Sequence, residues 1–569
     1  MPKRSRTSEA STPSCFVDGA LETDAPARRF AQASPYSHVR LDTLIDESLL
    51  LQVRKELQLL QSTFKETDMF KVYQTGDLAN VDPDDEQHKA VLPATIALRK
   101  ALYSDAFREF VQKVTQCRPL VPRQDLSCNM YRKGGHLLCH DDVIGTRCVS
   151  YILYLARPGK QWQPKLGGAL ELYQISEKTG QVDPSPVCAL PPEFGSMVMF
   201  TVQPGVSYHA VQEVASSTPR LSISGWFHAA TPPPGAESAA SLAQLQGGVA
   251  GPLNAGGMPQ AKPVRPVKLR RALVVAHEEK LRLWLNPAYL QPANISAIKA
   301  QLKQQGAALL ANFLRPEIAA AILAKVSSLD AKDGLVERVL PPHAAGTQRR
   351  GWRLVGPPQL RRYMRYRAPK DASGAPAPRL ELGGDDGEAE DGMGAMTAIQ
   401  QARLGAILDE VRRLMHSAAF VQLMSSMSGL KPSTCASEVR RFRPGLDYSL
   451  AHVGTQSTVH TLDATLAFVG KSAESRALWD SGDVGGFECH VPASKEELTA
   501  AEVYRADEST AGVTSIHASF NALSLVMRAP ETMKFIKYVS CEAPGSRWDV
   551  AAEYASNGPT SAAAMPSPG

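Results

Sequence analysis

The chain reads YRKGGHLLCHDDVIGTRCVSYILYL from Tyr131 to Leu155. The part that begins at Cys148 is rich in β-branched and aromatic residues, a composition that favours a β-strand. His140 and Asp142 precede it and lie two residues apart, so on a strand their side chains would project from the same face. An imidazole and a carboxylate placed in this way can bind one metal ion together.

His209 supplies a possible third ligand, at the end of the segment PGVSYH. Two histidines and one carboxylate form the ligand set of non-haem Fe(II) oxygenases, because this set leaves coordination positions free for O2 and a co-substrate. An isolated His-x-Asp pair is common by chance, and buried core histidines are the alternative. The strand-like segments around the motif favour the metal site. Asp141 is predicted to point away from the metal and to cap a loop or face solvent.

Arg220 begins the run RLSISGWF, in which polar and apolar residues alternate. The alternation predicts a strand with Arg220, Ser222 and Ser224 on one face. A guanidinium binds a planar carboxylate through two parallel hydrogen bonds. The expected co-substrate is therefore the dicarboxylate 2-oxoglutarate, and Ser222 could bind the same carboxylate.

Together these motifs resemble those of the eukaryotic ribosomal prolyl hydroxylases, a family that includes the yeast termination-and-polyadenylation protein and its relatives. The matching segments are GHLLCHDD, YILYL, the Gly167-Gly168 pair, PGVSYH and RLSISGWFH, with QTGDL at 74–78 and WLNPAYL at 284–290 beyond them. The resemblance covers most of the chain.

The resemblance implies a reaction and its components. Fe(II), 2-oxoglutarate and O2 would hydroxylate C3 of a proline in the small-subunit ribosomal protein uS12 and so affect translation, with ascorbate as the reductant. Tyr131 and Tyr154 would contact 2-oxoglutarate, and Arg220 would hold its distal carboxylate. The alternative for the two tyrosines is a place in the core of the barrel.

The two halves of the chain contain a repeat. Ser104-Asp105-Ala106-Phe107 recurs as Ser417-Ala418-Ala419-Phe420, and Gly485-Gly486 corresponds to Gly167-Gly168. Arg547 lies where Arg220 would be. The repeat predicts a mainly β protein with flanking helices, built from two tandem double-stranded β-helix (jelly-roll) domains.

The second half lacks the ligands of the first. The position of His140 falls at Ala451 or His452, and no carboxylate follows at the right spacing. Lys534 or Phe535 stands where His209 would be. We therefore expect a degenerate second domain that binds no Fe(II).

Domain boundaries follow from composition. We predict a disordered tail over residues 1–37, the catalytic domain over 38–230, a flexible linker over 231–272, the second domain over 273–554 with a disordered insertion at about 368–394, and a disordered tail over 555–569. These unstructured segments are rich in Gly, Pro, Ala, Ser or acidic residues.

Whole-chain properties limit the function classes. The 569 residues are 43% hydrophobic, enough for two or more cores, and the net charge of only +5 does not call for nucleic acid. A nucleic-acid-modifying oxygenase is disfavoured because no basic stripe with interleaved aromatics is visible. Nine cysteines without a CxxC pair indicate a reducing compartment. We expect no signal peptide, no membrane partner, and a location in the nucleus and cytoplasm.

A second function class stays open. The chain could be an interaction protein that binds regulators of transcription or translation through its C-terminal domain, with catalysis secondary. The complete set of His140, Asp142, His209 and Arg220 favours the enzyme.

Overall fold

The structure is a computed structural model, in which the described residues are 15–236, 262–263, 279, 281–369, 399–451, 459–492, 514–530 and 532–556. The chain divides into two compact units. The first contains residues 1–65, 70–181 and 186–241, and the second contains the rest. Most of the predicted linker and of the acidic insertion lies outside the described residues, as do residues 1–14 and 557–569 of the predicted tails and His452.

Over its described residues, the first unit combines five α-helices with one sheet. Its helices are α1 (Asp24–Gln32), α2 (Glu47–Glu56), α3 (Glu86–Val91), α4 (Pro93–Leu102) and α5 (Asp105–Thr115). Its strands are β1 (His38–Leu41), β2 (Ser62–Glu66), β3 (Phe70–Thr75), β4 (Leu120–Tyr131), β5 (His136–His140), β6 (Arg147–Tyr154), β7 (Leu170–Leu172), β8 (Cys188–Leu190), β9 (Met197–Thr201), β10 (His209–Val211) and β11 (Arg220–Ala229). The sheet order is β1-β9-β6-β11-β4-β3-β5-β10-β7-β8, with β2 beside β3.

Strand β11 has an antiparallel neighbour on each side. Arg220 pairs with Tyr131 of β4, and Ser222 pairs with Tyr154 of β6. Since alternate residues of a strand share a face, this register collects polar side chains of three strands on one side of the sheet. The other side bears apolar residues such as Ile223, which join the helices in the core.

Helix α5 shows how the helical layer is fixed. Ser104 caps its first turn by accepting a hydrogen bond from the backbone N–H of Phe107, at 3.2 Å. Its apolar stripe of Phe107, Phe110, Val111 and Val114 is buried in the core of the first unit.

The N-terminal boundary differs from the prediction. Residues 24–32, expected to be part of a disordered tail, form α1, and Phe30 is buried in the same core. The sequence of this helix contains Pro, Ala and Arg, and its single large apolar residue, Phe30, is buried together with Pro26. The structured part of the chain therefore begins well before residue 38.

The second unit contains α6 (Pro292–Gln305), α7 (Pro316–Lys332), α8 (Leu404–Met415), α9 (Ala418–Ser428) and α10 (Ala473–Asp480). Its strands are β12 (Lys262–Pro263), β13 (Ala307–Leu310), β14 (Trp352–Val355), β15 (Arg361–Tyr366), β16 (Thr434–Phe442), β17 (Tyr448–Ser449), β18 (Thr461–Phe468), β19 (Glu488–Pro492), β20 (Thr514–Ile516), β21 (Ala522–Arg528), β22 (Thr532–Ile536) and β23 (Arg547–Ala555). The larger sheet has the order β13-β21-β18-β23-β16-β15-β14, and the smaller has β20-β19-β22.

The strand order of the second unit repeats that of the first. The run β21-β18-β23-β16 matches β9-β6-β11-β4, and β20-β19-β22 matches β8-β7-β10. The repeated helix also agrees, because Ser417 caps α9 through the N–H of Phe420 as Ser104 caps α5. The mainly β class with added helices is thereby confirmed. Among the described helices, none combines the length and apolar character needed to cross a bilayer.

Candidate metal and co-substrate site

The three predicted metal ligands come together on neighbouring strands. His140 ends β5, His209 begins β10, and the two residues are paired across the strands. Their ring centroids are 4.2 Å apart. The Nε2 atoms of His140 and His209 lie 3.3 Å and 3.4 Å from the two carboxylate oxygens of Asp142. One donor atom of each residue can thus face a single ion.

Backbone carbonyls orient both imidazoles. The Nδ1 of His140 donates to the carbonyl of Leu138 at 2.9 Å, and that of His209 donates to the carbonyl of Ser207 at 2.8 Å. A carbonyl only accepts, so the proton of each neutral ring lies on Nδ1. The Nε2 lone pairs then face the site, as metal coordination requires.

Asp142 is not on the strand that holds His140, so the alternation of side chains along a strand does not explain its position in the site. Strand β5 ends at His140, and Asp142 lies beyond it with φ of 62°, in the left-handed region that Asp tolerates better than most residues. The prediction that both ligands project from one strand is therefore wrong, although both reach the site. A backbone turn brings the carboxylate back over the sheet.

Two neutral donors hold one oxygen of this carboxylate. Oδ2 of Asp142 accepts hydrogen bonds from the hydroxyl of Ser150 at 3.0 Å and from the indole N–H of Trp226 at 2.9 Å. The guanidinium of Arg147 lies over the Trp226 ring, 3.7 Å from its centroid, and 3.9 Å from Oδ1 of Asp142. These neighbours fix the carboxylate plane, which is how outer partners commonly position a metal ligand.

The electrostatics keep the carboxylate ionised. Burial by itself raises the pKa of Asp142, but His209 and His140 outweigh burial and hold that pKa well below its usual range. Burial lowers the pKa of His140, and the adjacent Asp142 reverses the direction, so this pKa lies above its ordinary value. Asp142 therefore supplies the negative charge of the donor set, and a metal ion would displace any proton from the Nε2 of His140 when it binds.

Arg220 lies on the same polar face, and two nitrogens of its guanidinium already donate hydrogen bonds within the protein. Its Nε donates to the carbonyl of Gly168 at 2.8 Å, and its Nη1 donates to the hydroxyl of Ser222 at 3.2 Å. A Cβ on Gly168 would lie 3.1 Å from the Cδ of Arg220, so glycine permits this approach. Ser222 therefore positions the arginine.

The remaining donors of this pocket fit a carboxylate. Within the described part of the chain, Nη2 of Arg220 and the hydroxyl of Tyr154 are buried and have no hydrogen-bond partner. The Cζ of Arg220 lies 5.0 Å from the ring centroids of both Tyr131 and Tyr154. Buried groups of this kind are costly unless a ligand satisfies them. The arrangement suits one end of 2-oxoglutarate.

Asp141 has a structural role rather than a metal-binding one. Its side chain accepts hydrogen bonds from the N–H groups of Val143 at 3.3 Å and Gly205 at 3.2 Å, and its carbonyl accepts from Ser207 at 3.1 Å. The predicted loop-capping role is confirmed, although the side chain is buried rather than solvated. Asp141 thereby joins the loop after His140 to the loop before His209.

The sequence reasoning missed three residues that surround Asp142: Ser150, Trp226 and Arg147. Strand periodicity contained a signal for two of them. Trp226 is two positions beyond Ser224 on the polar face of β11, and Ser150 pairs with Trp226 across to β6. Arg147 had no comparable signal, because its contact depends on the stacked ring.

Comparisons with known proteins agree with this geometry. A family model described as the 2OG-Fe(II) oxygenase superfamily matches residues 126–228, the segment that holds all three ligands and Arg220. A second model, described as the oxoglutarate and iron-dependent oxygenase degradation C-term, matches residues 276–560. Fold and site therefore define a 2-oxoglutarate- and Fe(II)-dependent oxygenase.

Relatives, two of which match over most of the chain, narrow the assignment. The chain is 36% identical over 526 residues to the prolyl 3,4-dihydroxylase OGFOD1 of Ostreococcus tauri, covering 92% of this chain and 95% of the relative. It is 32% identical over 286 residues to the prolyl 3-hydroxylase OGFOD1 of Mus musculus, covering 50% and 45%. The prolyl 3-hydroxylase sudestada1 of Drosophila melanogaster is 26% identical over 536 residues, covering 92% and 83%. The chain belongs to the OGFOD1 prolyl hydroxylase family.

We predict that Asp142→Asn abolishes tight divalent-metal binding while leaving the fold intact. Asparagine tolerates the left-handed backbone, whereas Asp142→Ala should cost about 1–2 kcal/mol of unfolding free energy in addition. Mn(II) titration and urea unfolding measure the two effects. Asp141→Asn is the matched control and should keep the metal; the reverse pattern would exchange the two assignments.

Trp226→Phe should weaken metal binding by about 10- to 100-fold, because it removes one donor to Asp142 and keeps an aromatic ring beneath Arg147. Ser150→Ala tests the other donor to the same oxygen. Mn(II) affinity measured by calorimetry decides the question, and an unchanged affinity in both variants would show that neither residue positions the carboxylate.

Arg220→Lys should weaken 2-oxoglutarate binding by about 1.5–3 kcal/mol, since lysine keeps the charge and loses the planar fork. Titration of 2-oxoglutarate into the Mn(II)-loaded variant measures the loss. Ser222→Ala, which removes only the partner of Nη1, should lose less. A Lys variant with the parent affinity would place Arg220 outside the co-substrate site.

Proposed function

We propose that the chain hydroxylates a prolyl residue of a protein, that the target is ribosomal protein uS12, and that oxidation occurs at C3 of the proline. The single observation that carries the proposal is the unpartnered Nη2 of Arg220 on the same polar face as the His140, Asp142 and His209 set, in a chain of this family. The proline class is supported by the relatives, whose names specify prolyl 3-hydroxylation or 3,4-dihydroxylation.

The site residues divide the work of the reaction. His140, Asp142 and His209 would hold Fe(II), which when bound supplies the positions at which 2-oxoglutarate and O2 react. Arg220 binds the distal carboxylate and so orients the other end of the co-substrate. Because Arg220 is only 1% exposed, this ion pair would form in a water-excluded pocket and gain strength from the low local dielectric. Tyr154 adds its hydroxyl as a further donor.

The proposal extends to the architecture and the cellular setting. Both units are inferred to be double-stranded β-helices in tandem, supported by their matching strand orders. Ascorbate would serve as the reductant, and the protein would act in the nucleus and cytoplasm on a component of the translation machinery. The polar pocket in the first unit favours the enzyme over a protein that only binds regulators through its C-terminal unit.

We expect incubation with Fe(II), 2-oxoglutarate and ascorbate to add one or two oxygen atoms to a single proline of uS12, as measured by mass spectrometry with fragment-ion assignment. Asp142→Asn should abolish the addition, and Asp141→Asn should keep it. A uS12 peptide with that proline replaced by alanine is the substrate control. Oxidation of the control peptide, or no oxidation of uS12 by an enzyme that consumes 2-oxoglutarate, would contradict the substrate assignment.

A further inference from the structure

Lys534 occupies in the second unit the strand position that His209 has in the first. Leu172 lies four residues after Gly168 and pairs with His209. His490 lies four residues after Gly486 and pairs with Lys534. Of the two residues that sequence comparison left open, the register thus selects Lys534 over Phe535.

The two residues that hold Asp142 in the first unit also have counterparts. Trp226 lies six residues after Arg220 and pairs with Ser150. Glu553 lies six residues after Arg547 and pairs with Asp463. Two hydrogen-bond donors of the first unit are therefore replaced by two carboxylates in the second.

These carboxylates converge on the lysine. The Nζ of Lys534 forms ion pairs with Asp463, at 3.6 Å, and with Glu553. Arg528 adds a second cation, with its Nε 2.9 Å from Asp463 and its Nη2 3.2 Å from Glu553. Negative charge at this position is thus compensated by the chain itself.

An acidic cluster beside the lysine has the donor spacing of a metal site. Asp463, Glu488 and His490 each offer a ligand atom within 4.8 Å of the others, and all three are buried. Among the described residues, the Nδ1 of His490 is buried without a hydrogen-bond partner, 3.7 Å from Asp463. In the first unit a bound ion would compensate the charge of Asp142, whereas here the side-chain cations Arg528 and Lys534 already contact Asp463.

We propose that the ammonium of Lys534 is the resident cation of Asp463 and Glu553, so that a covalently attached charge occupies the place beside Asp463 that a divalent metal would otherwise need. The occupant is part of the chain and its chemical class is a primary ammonium. The positive charge of Lys534 compensates the buried carboxylates, as the charge of a metal ion would.

The ionisation states support a permanent ammonium. Burial lowers the pKa of Lys534, but Asp463 and Glu553 outweigh burial and raise that pKa above its ordinary value. Burial raises the pKa of Glu553, and Lys534 followed by Arg528 lowers it to about 2. At neutral pH the lysine and the carboxylate are therefore both charged.

Arg547, which corresponds to Arg220, is likewise paired with acidic side chains of the second unit. The Nε of Arg547 donates to Asp549 at 3.0 Å, and its Nη2 lies 3.5 Å from Glu488. The positions equivalent to these two acids in the first unit are Ser222 and Leu170. Asp549 and Glu488 thus occupy the guanidinium of Arg547, which a dicarboxylate ligand would otherwise bind.

Metal uptake tests the proposal in the full-length protein. Mn(II) titrated into Asp142→Asn, which lacks the first site, should show no tightly bound ion. Uptake of one ion by Asp142→Asn that is lost in the double variant Asp142→Asn/Asp463→Asn would overturn the proposal, because the cluster would then be a metal site.

Charge compensation gives the second test. Lys534→Met should lower the thermal unfolding midpoint of the second unit by on the order of 10 °C, because it leaves buried carboxylates under-compensated. Lys534→Met/Glu553→Gln should recover at least half of this loss, and Lys534→Arg should stay nearer the parent than Lys534→Met. If Lys534→Met is too unstable to purify, recovery of folded double variant gives the same support. A double variant no more stable than Lys534→Met would assign Lys534 to packing and overturn the proposal.

Discussion

The antiparallel pairing of β11 with β4 and β6 is the constraint on which the site of the first unit depends. It fixes which side chains of three strands share a face, and thereby brings Arg220, Ser222 and Trp226 to one side of the sheet. A shift of one residue would turn all three toward the helices. The apolar residues between them, which are buried against those helices, make such a shift expensive.

Sequence reasoning located the metal ligands and Arg220 because their signals are local. A His-x-Asp spacing, an alternating run and a repeated glycine pair are each visible within a few residues. Strand periodicity indicates that Trp226 and Ser150 lie on the polar face, but not that they contact Asp142, because this carboxylate reaches Trp226 through a left-handed backbone turn after the strand has ended. Helix α1 was missed because its composition is that of an unstructured tail and it buries only Pro26 and Phe30.

The second unit shows a different limit. The sequence placed Lys534 or Phe535 opposite the missing histidine, and only the pairing of β19 with β22 distinguishes them. Even with that choice made, the contacts of the lysine depend on Glu553, which is distant in sequence. Two units with the same strand order thus differ in electrostatics: one leaves a guanidinium hydrogen-bond donor unsatisfied, and the other pairs its guanidinium with acids of its own chain.

The direct pairing of His140 with His209 across two strands has an evolutionary consequence. Neighbouring strands lie about 4.7–4.9 Å apart because of their backbone hydrogen bonds, so the separation of these two ligands is a property of the sheet rather than of any loop. Loops that carry no ligand can then be lengthened, shortened or replaced without moving the two histidines, whereas the loop after β5 is constrained because it carries Asp142. A sheet of this kind can evolve a new substrate specificity through its loops while the metal ligands on its strands, and hence the reaction, stay the same.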